Sequence, residues 1–266
     1  MDKEGLQMKK DDKRTSKKDL VVYWSPSYNK TPEDFDWNMM YTDPVSLIPH
    51  LQEIKNDETE NIDSYLYCPA FKDAFRNTFQ FSNSSIESTY AWNSEALDGA
   101  GAFLPVSKSY VDLQMPRKPT VKDTRIVQVA LAWNFFCEEP LIMEVTPPFF
   151  SNSSHARAAS IIPGRFDIGR WFRPVNADFQ VWGEDTNEFS IKKDEPMFYV
   201  RFATDRRVVL KRFEITPEIY KIGTSILRTR NLFGGFRALE SRYSDFVKSR
   251  THKIVLKLIK ESVLED

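Results

Sequence analysis

Apolar and polar positions alternate most regularly between residues 163 and 214, where Phe179, Val181, Phe189, Ile191, Phe198, Val200, Phe202, Val208 and Leu210 recur at every second place within short runs. Period-two alternation puts every other side chain on a buried face, so this stretch predicts successive strands of a β-meander or β-sandwich. The polar runs 183–187, 192–195 and 204–206 lie between alternating segments and predict hairpin connections. Pro163-Gly164 and Gly169 read as further turns or a bulge. Residues 125–137 begin alternating and become continuously apolar, the pattern of a central strand covered on both faces. Glu138-Glu139-Pro140 then predicts a turn into a returning strand at 141–146, a hairpin by spacing.

The earlier chain gives shorter signals. Leu20 to Trp24 reads as a strand stopped by Ser25-Pro26, and residues 87–92 and 109–115 are further strand candidates. Residues 44–54 have helix-like spacing interrupted by Pro49. A strand running into Cys68 meets one helical turn opened by Pro69, with Phe71 and Phe75 a turn apart, before a strand from Thr78 to Phe81. After Glu214 the period changes. Thr216-Pro217-Glu218 supplies an N-cap, a first-turn proline and a first-turn acid, and Ile219, Ile222, Ile226 and Leu227 share one helix face. Gly234-Gly235 stops that helix; a second carries Leu239, Tyr243, Phe246 and Val247, and a third Ile254, Leu256, Leu258, Ile259 and Val263.

These elements predict an α+β, mainly β fold: an antiparallel β-sandwich or jelly-roll-like core with C-terminal helices. Residues 1–18, charged and without apolar clusters, read as a disordered tail. Residues 19–214 form the sandwich core with a short helical insertion, and 215–266 a helical segment packing on it. With 266 residues, 41% of them hydrophobic, and 20 Phe against 9 Gly, the chain can fill such a core. Formal net charge is −1, which hides an asymmetry: residues 1–100 carry 11 basic and 18 acidic side chains, residues 201–266 carry 15 and 8. Either the basic end offers a face to an acidic partner, or the two ends lie against each other or are solvated.

Cys68 and Cys137 sit in apolar sequence, and with no export signal a reduced compartment is expected. No window holds the roughly 20 apolar residues a membrane helix needs, so no membrane partner is expected. His50, His155 and His252 fall in no metal-binding spacing, and there is no nucleophile elbow or phosphate loop. No catalytic residue, metal ligand or cofactor is therefore assigned. The chemistry that stands out is basic. Arg165, Arg170 and Arg173 lie among aromatic residues including Trp171, and Arg201, Arg206, Arg207, Lys211 and Arg212 decorate the last two strands. These nine residues are the candidate site for an anion or a partner: on strands some of the guanidinium groups share a solvent face, where stacked aromatics would help hold an anionic ligand. The competing reading pairs them with Asp167, Asp178, Glu184 and Glu214 across strands. The basic side chains of the C-terminal helices, Arg228, Arg230, Arg237, Arg242, Lys248, Arg250, Lys253, Lys257 and Lys260, fit an ordinary amphipathic pattern or an interaction face.

Three segments, SYLYCPAFKDAFRNTF at 64–79, GRFDIGRWFRP at 164–174 and IKKDEPMFYVRFATD at 191–205, resemble a family of tailed-phage proteins of the large marine phage type. The likeness covers roughly residues 60 to 260 in spacing and order. That family carries no assigned activity, so the resemblance implies a viral origin, located in host cytoplasm or virion, and transfers no functional residue. The Lys-x-Asp-Glu-Pro turn and its strands also resemble a cupin's, without the cupin's metal ligands. The expected function is non-enzymatic, through binding or assembly, with a protein partner or self-association. A cupin-like ligand-binding or enzymatic barrel is one alternative; a nucleic-acid-binding module using the basic C-terminal part is another.

Overall fold

Trp133, Phe135 and Cys137 pack into one apolar cluster and Phe136, between them, into another. A strand whose two faces are both buried must lie inside a layered structure, and the layers build outward from it. The computed structural model describes residues 19–26, 42–49, 52–53, 68–82, 88–91, 102–103, 110–113, 124–182, 188–228 and 238–264. The tail at 1–18 and the connector 183–187 lie outside them.

In chain order the strands are β1 (Leu20–Pro26), β2 (Val45–Ser46), β3 (Thr78–Ser82), β4 (Ser88–Ala91), β5 (Ala102–Phe103), β6 (Tyr110–Leu113), β7 (Thr124–Cys137), β8 (Ile142–Thr146), β9 (Ala159–Ile161), β10 (Gly164–Asp167), β11 (Val175–Trp182), β12 (Glu188–Ile191), β13 (Pro196–Phe202) and β14 (Val208–Arg212). The helices are α1 (Pro69–Phe75), α2 (Pro217–Arg228), α3 (Leu239–Lys248) and α4 (Thr251–Glu261), with a 3-10 turn at Ser154–Arg157. The first sheet runs β14-β1-β7-β11-β9, with β6 also on β7 and β5 on β6; the second runs β10-β8-β13-β3-β2; β4 and β12 form a separate ribbon. Pairing among the described residues is antiparallel except for β1 and β14, which are parallel with Leu20 opposite Val208.

The two sheets pack face to face through aromatic side chains. Trp133 of the first sheet meets Phe198 of the second edge-on, ring centroids 4.9 Å apart, and Phe81 sits 5.4 Å from Phe135. Burying such a side chain contributes about 1.5–3 kcal/mol, and the edge-to-face geometry suits the ring quadrupoles. On the outer face of the first sheet, Tyr23 and Phe136 are covered by Phe172, Phe213 and the helical residues Ile219, Ile226, Tyr243, Phe246, Val255 and Ile259. The expected cap is present: the Ile219 N–H donates to Thr216 Oγ1 at 3.3 Å and opens α2. On the outer face of the second sheet, Tyr199 packs with Leu47 and Phe75. The architecture is thus α+β and mainly β, two stacked sheets with the C-terminal helices as a further layer.

Four expectations need correction. Residues 141–146 do not return beside β7: β8 belongs to the second sheet, between β10 and β13. Neither are β11 and β12, β12 and β13, or β13 and β14 paired, so the connectors 192–195 and 204–206 cross between sheets where hairpins were expected. Alternation fixes which face of a strand is buried and leaves its neighbour open. Cys68, whose apolar sequence surroundings suggested a buried small hydrophobe, is exposed, while Cys137 is buried. In α4, Ile259 is buried as expected and Leu256, Leu258 and Val263 are partly buried against the same cluster, but Ile254 is exposed and Val255 takes the buried place beside it.

Candidate functional site

Asp167 ends β10 and its carboxylate accepts from the N–H groups of Gly169 and Leu141, at 3.2 and 3.3 Å. Two backbone bonds, Cys137 N to Ile168 O at 3.2 Å and Ile168 N to Leu141 O at 2.9 Å, tie the same turn to the end of β7. Gly169 fits there because it has no side chain: a Cβ would lie 2.6 Å from the Glu139 carbonyl carbon and 2.8 Å from Pro140 Cα. The loop 168–173 is therefore held at its base by backbone contacts, and it presents Trp171 and Arg173 toward α3.

Trp171 stacks on Tyr243 of α3, centroids 3.9 Å apart and planes 15° from parallel, and meets Phe166 edge-on at 5.8 Å. The Arg173 guanidinium lies over the Trp171 ring, 5.3 Å from its centroid. Arg170 turns back to Asp167 at 3.5 Å. Burial raises the Tyr243 pKa, opposed by the charge and hydrogen bonding of Arg173 and by the charge of Arg242. Tyr243 and Arg242 were legible in the sequence only as a core position and one basic residue among many; their place beside the Trp171 loop comes from the packing of α3.

The remaining candidates sit elsewhere, and carboxylates stand between them. Arg165 and Arg201 share the outer face of the second sheet and both approach Glu144, at 3.6 and 3.8 Å. Arg201 also bonds Asp73 of α1 at 2.8 Å, and Arg76 links Asp73 to Asp205 at 3.9 and 3.6 Å. The result is a row of alternating charges, each exposed pair contributing about 0–1 kcal/mol. Arg206 pairs with Glu139, Arg207 approaches Asp19 at 3.9 Å, and Arg212 reaches Asp43 at 3.3 Å while lying over the Trp24 ring. Lys211 is exposed on β14. Asn77, with positive φ of 52°, fixes the turn that carries Arg206 and Arg207. Its Nδ2 donates to the carbonyls of Thr204 and Arg206, both at 2.8 Å, and its Oδ1 accepts from Val208 N at 3.0 Å. Of the acids expected to neutralise the arginines, Asp167 is one that does so; Glu144, Asp73, Glu139, Asp19 and Asp43 supply the other pairs.

Two further places carry titratable groups. A pocket of about 480 Å³ is lined by Asp19, Leu20, Val21, Tyr23, Glu138, Glu139 and Arg206. Its charges are already matched, Glu139 by Arg206 and Glu138 by Lys260 at 2.8 Å, and that bond raises the Lys260 pKa. Burial raises the Tyr23 pKa, with Lys260 opposing. At the 3-10 turn, Ser154 donates through both N and Oγ to Glu195, whose carboxylate also accepts from Lys192 N. Burial opposes ionisation of Glu195, yet those bonds and nearby His155 hold its pKa below the usual value. Glu195 belongs to the Lys-x-Asp-Glu-Pro turn that resembled a cupin's; here it clamps a neighbouring turn.

Among the described residues no three His, Cys, Asp or Glu side chains converge as a metal site, and no helix is long and apolar enough to cross a membrane. Comparison of the chain with protein-family models, with curated proteins and with solved structures found no match.

Proposed function

We propose that this protein acts by assembly, pairing with a second copy of itself through the outer face of the second sheet around Phe150. The observation that carries this reading is an aromatic cluster left partly open to solvent. Phe150 stacks on Phe75 at 5.8 Å, and Phe149 meets Phe75 at 5.5 Å and Tyr199 at 4.9 Å. The Tyr199 hydroxyl donates to the Phe149 carbonyl at 3.0 Å and fixes the backbone that presents Phe150. Burial pushes the Tyr199 pKa up to about 12, which keeps that hydroxyl a donor at any physiological pH.

Phe150 remains 37% exposed, and Val45 and Ile48, on either side of the buried Leu47, are 58% and 45% exposed. The Phe150 backbone has φ of 52°, a left-handed conformation that costs a bulky residue about 1–2 kcal/mol and is retained where the presented side chain serves a purpose. The alternating charges of Asp73, Arg201, Glu144 and Arg165 lie on the same face. An apolar centre with a charged rim is the anatomy of an interface, and a rim of both signs complements its own image across a two-fold axis. The motif resemblance to tailed-phage proteins supports a viral setting for such assembly. A basic face for nucleic acid is the weaker reading, since carboxylates stand between the arginines.

Light scattering across a concentration series tests this. The full chain is expected to form a discrete dimer, and Phe150→Asn, whose side chain tolerates positive φ, is expected to stay folded and monomeric. A wild-type chain that is monomeric throughout, or a variant that dimerises equally, refutes the reading.

A further inference from the structure

Five buried side-chain polar atoms lack a hydrogen-bond partner among the described residues: His155 Nδ1, Trp171 Nε1, Arg201 Nε, Tyr243 Oη and His252 Nδ1. Two of them belong to one stacked pair, Trp171 on Tyr243. A buried group that forgoes its hydrogen bond destabilises the fold, and two together in one seam point to something outside the chain that completes them. Both can donate: the indole N–H does nothing else, and the phenol carries one O–H. The nearest charges reinforce that sense. Arg173 lies over the Trp171 ring, and Arg173 and Arg242 both act on the Tyr243 hydroxyl as positive charges. Arg242 is itself buried on α3, one residue from Tyr243.

We propose that the seam between loop 168–173 and α3 binds a phosphate group, free or at the end of a larger ligand, whose oxygens accept from Trp171 Nε1, Tyr243 Oη and Arg173. A surrounding that offers donors and guanidinium charge selects an oxyanion, and the forked guanidinium suits two oxygens of one phosphate. A tetrahedral phosphate presents oxygens to all three donor residues at once. Tyr243 is only 9% exposed and Trp171 Nε1 is buried, so the group has to enter end-on. A terminal phosphate can do so; a backbone diester, flanked by sugar on both sides, cannot. The base of the loop is prepared for this, since Asp167, Gly169 and the end of β7 fix it before any ligand arrives. The inference is independent of the Phe150 face, which lies on the other sheet.

The test is calorimetric titration of the full chain at constant ionic strength with inorganic phosphate, then with a short oligonucleotide carrying either a 5′-phosphate or a 5′-hydroxyl. Saturable binding of inorganic phosphate is expected, weakened about tenfold or more by Tyr243→Phe and by Arg173→Gln, the loss of one charge-assisted hydrogen bond. Tyr243→Phe keeps the stacked ring and removes only the hydroxyl beside Arg173, so it is expected to fold. Added binding of the 5′-phosphorylated strand identifies the end group of a larger ligand; inorganic phosphate alone restricts the site to the free ion. No phosphate binding, equal binding by both variants, or equal binding of the 5′-hydroxyl strand overturns the proposal, the last in favour of a nucleic-acid backbone.

Discussion

At the scale of single residues, His155 shows how burial converts a side chain into a pH-dependent element. It is 2% exposed, edge-on to Phe179 at 5.8 Å, and burial lowers its pKa from the ordinary value near 6.5 while the charge of Glu195 opposes the shift. Below pH 6.5 the unfolded chain takes up a proton at this position before the folded one does, so stability falls with falling pH until the folded pKa is passed. The slope from one such group is at most about 1.4 kcal/mol per pH unit. Glu195 acts in the same direction but in a lower window, below its ordinary carboxyl range, because its folded pKa is also lowered. Denaturant unfolding at pH 7.5 and 5.5 is expected to show a loss in the wild type that is reduced in His155→Leu; identical losses would refute a buried neutral histidine. The sequence showed that His155 falls in no metal-binding spacing, and nothing in the polar stretch around it announced burial. In contrast, alternation identified Phe179, Val181, Ile191, Phe198, Val200 and Phe202 correctly as core, because period two is a direct image of a sheet face. Asn77 was illegible for the opposite reason: its three side-chain bonds reach residues 127 to 131 positions away, beyond any local pattern.

Between elements, what local pattern could not give was the path of the chain. The turn at Glu138-Glu139-Pro140 has the length and polarity of a hairpin, yet it carries the chain from the first sheet into the second, where β8 pairs with β10 and β13. The turn is held by the loop after β10, through Ile168, Gly169 and Asp167. Gly169→Ala is the substitution that addresses this junction, because the atoms its Cβ would strike are backbone atoms of Glu139 and Pro140 and cannot rotate away. The loop and the turn would have to separate, loosening the bonds between residues 137 and 168 and between 168 and 141. Chemical denaturation is expected to show a loss of about 2–4 kcal/mol, combining overpacking with weakened buried hydrogen bonds. Calorimetry on the same variant is expected to show weaker phosphate binding, since Trp171 and Arg173 stand on the displaced loop. A variant as stable as wild type would mean that the junction is looser than the backbone contacts imply.

Over the whole molecule, the charge asymmetry of the sequence turns inward. The basic C-terminal quarter and the acidic remainder meet in Lys260 with Glu138, Arg206 with Glu139, Arg207 with Asp19 and Arg212 with Asp43. The first sheet also needs both ends of the chain: β1 lies between β7 and β14, so the described chain's first strand is completed by its last. The C-terminal residues then close β14, with Glu214 N to Ser262 O at 2.9 Å and Leu264 N to Arg212 O at 3.0 Å. Beneath the helices lie Tyr23, Phe136, Phe172 and Phe213, each less than a tenth exposed. A chain ending at Glu214 would keep every strand but bare those four aromatic residues and one side of β14, a combination that invites association through both an apolar patch and an open edge. Expression of residues 1–214 is therefore expected to give aggregated or chaperone-bound protein, and supplying 215–266 as a separate chain is expected to restore part of the soluble yield. A soluble, cooperatively unfolding 1–214 monomer would show instead that the two-sheet core stands alone and that the helices are an accessory, in which case Phe136 would be an exposed residue of a stable sheet.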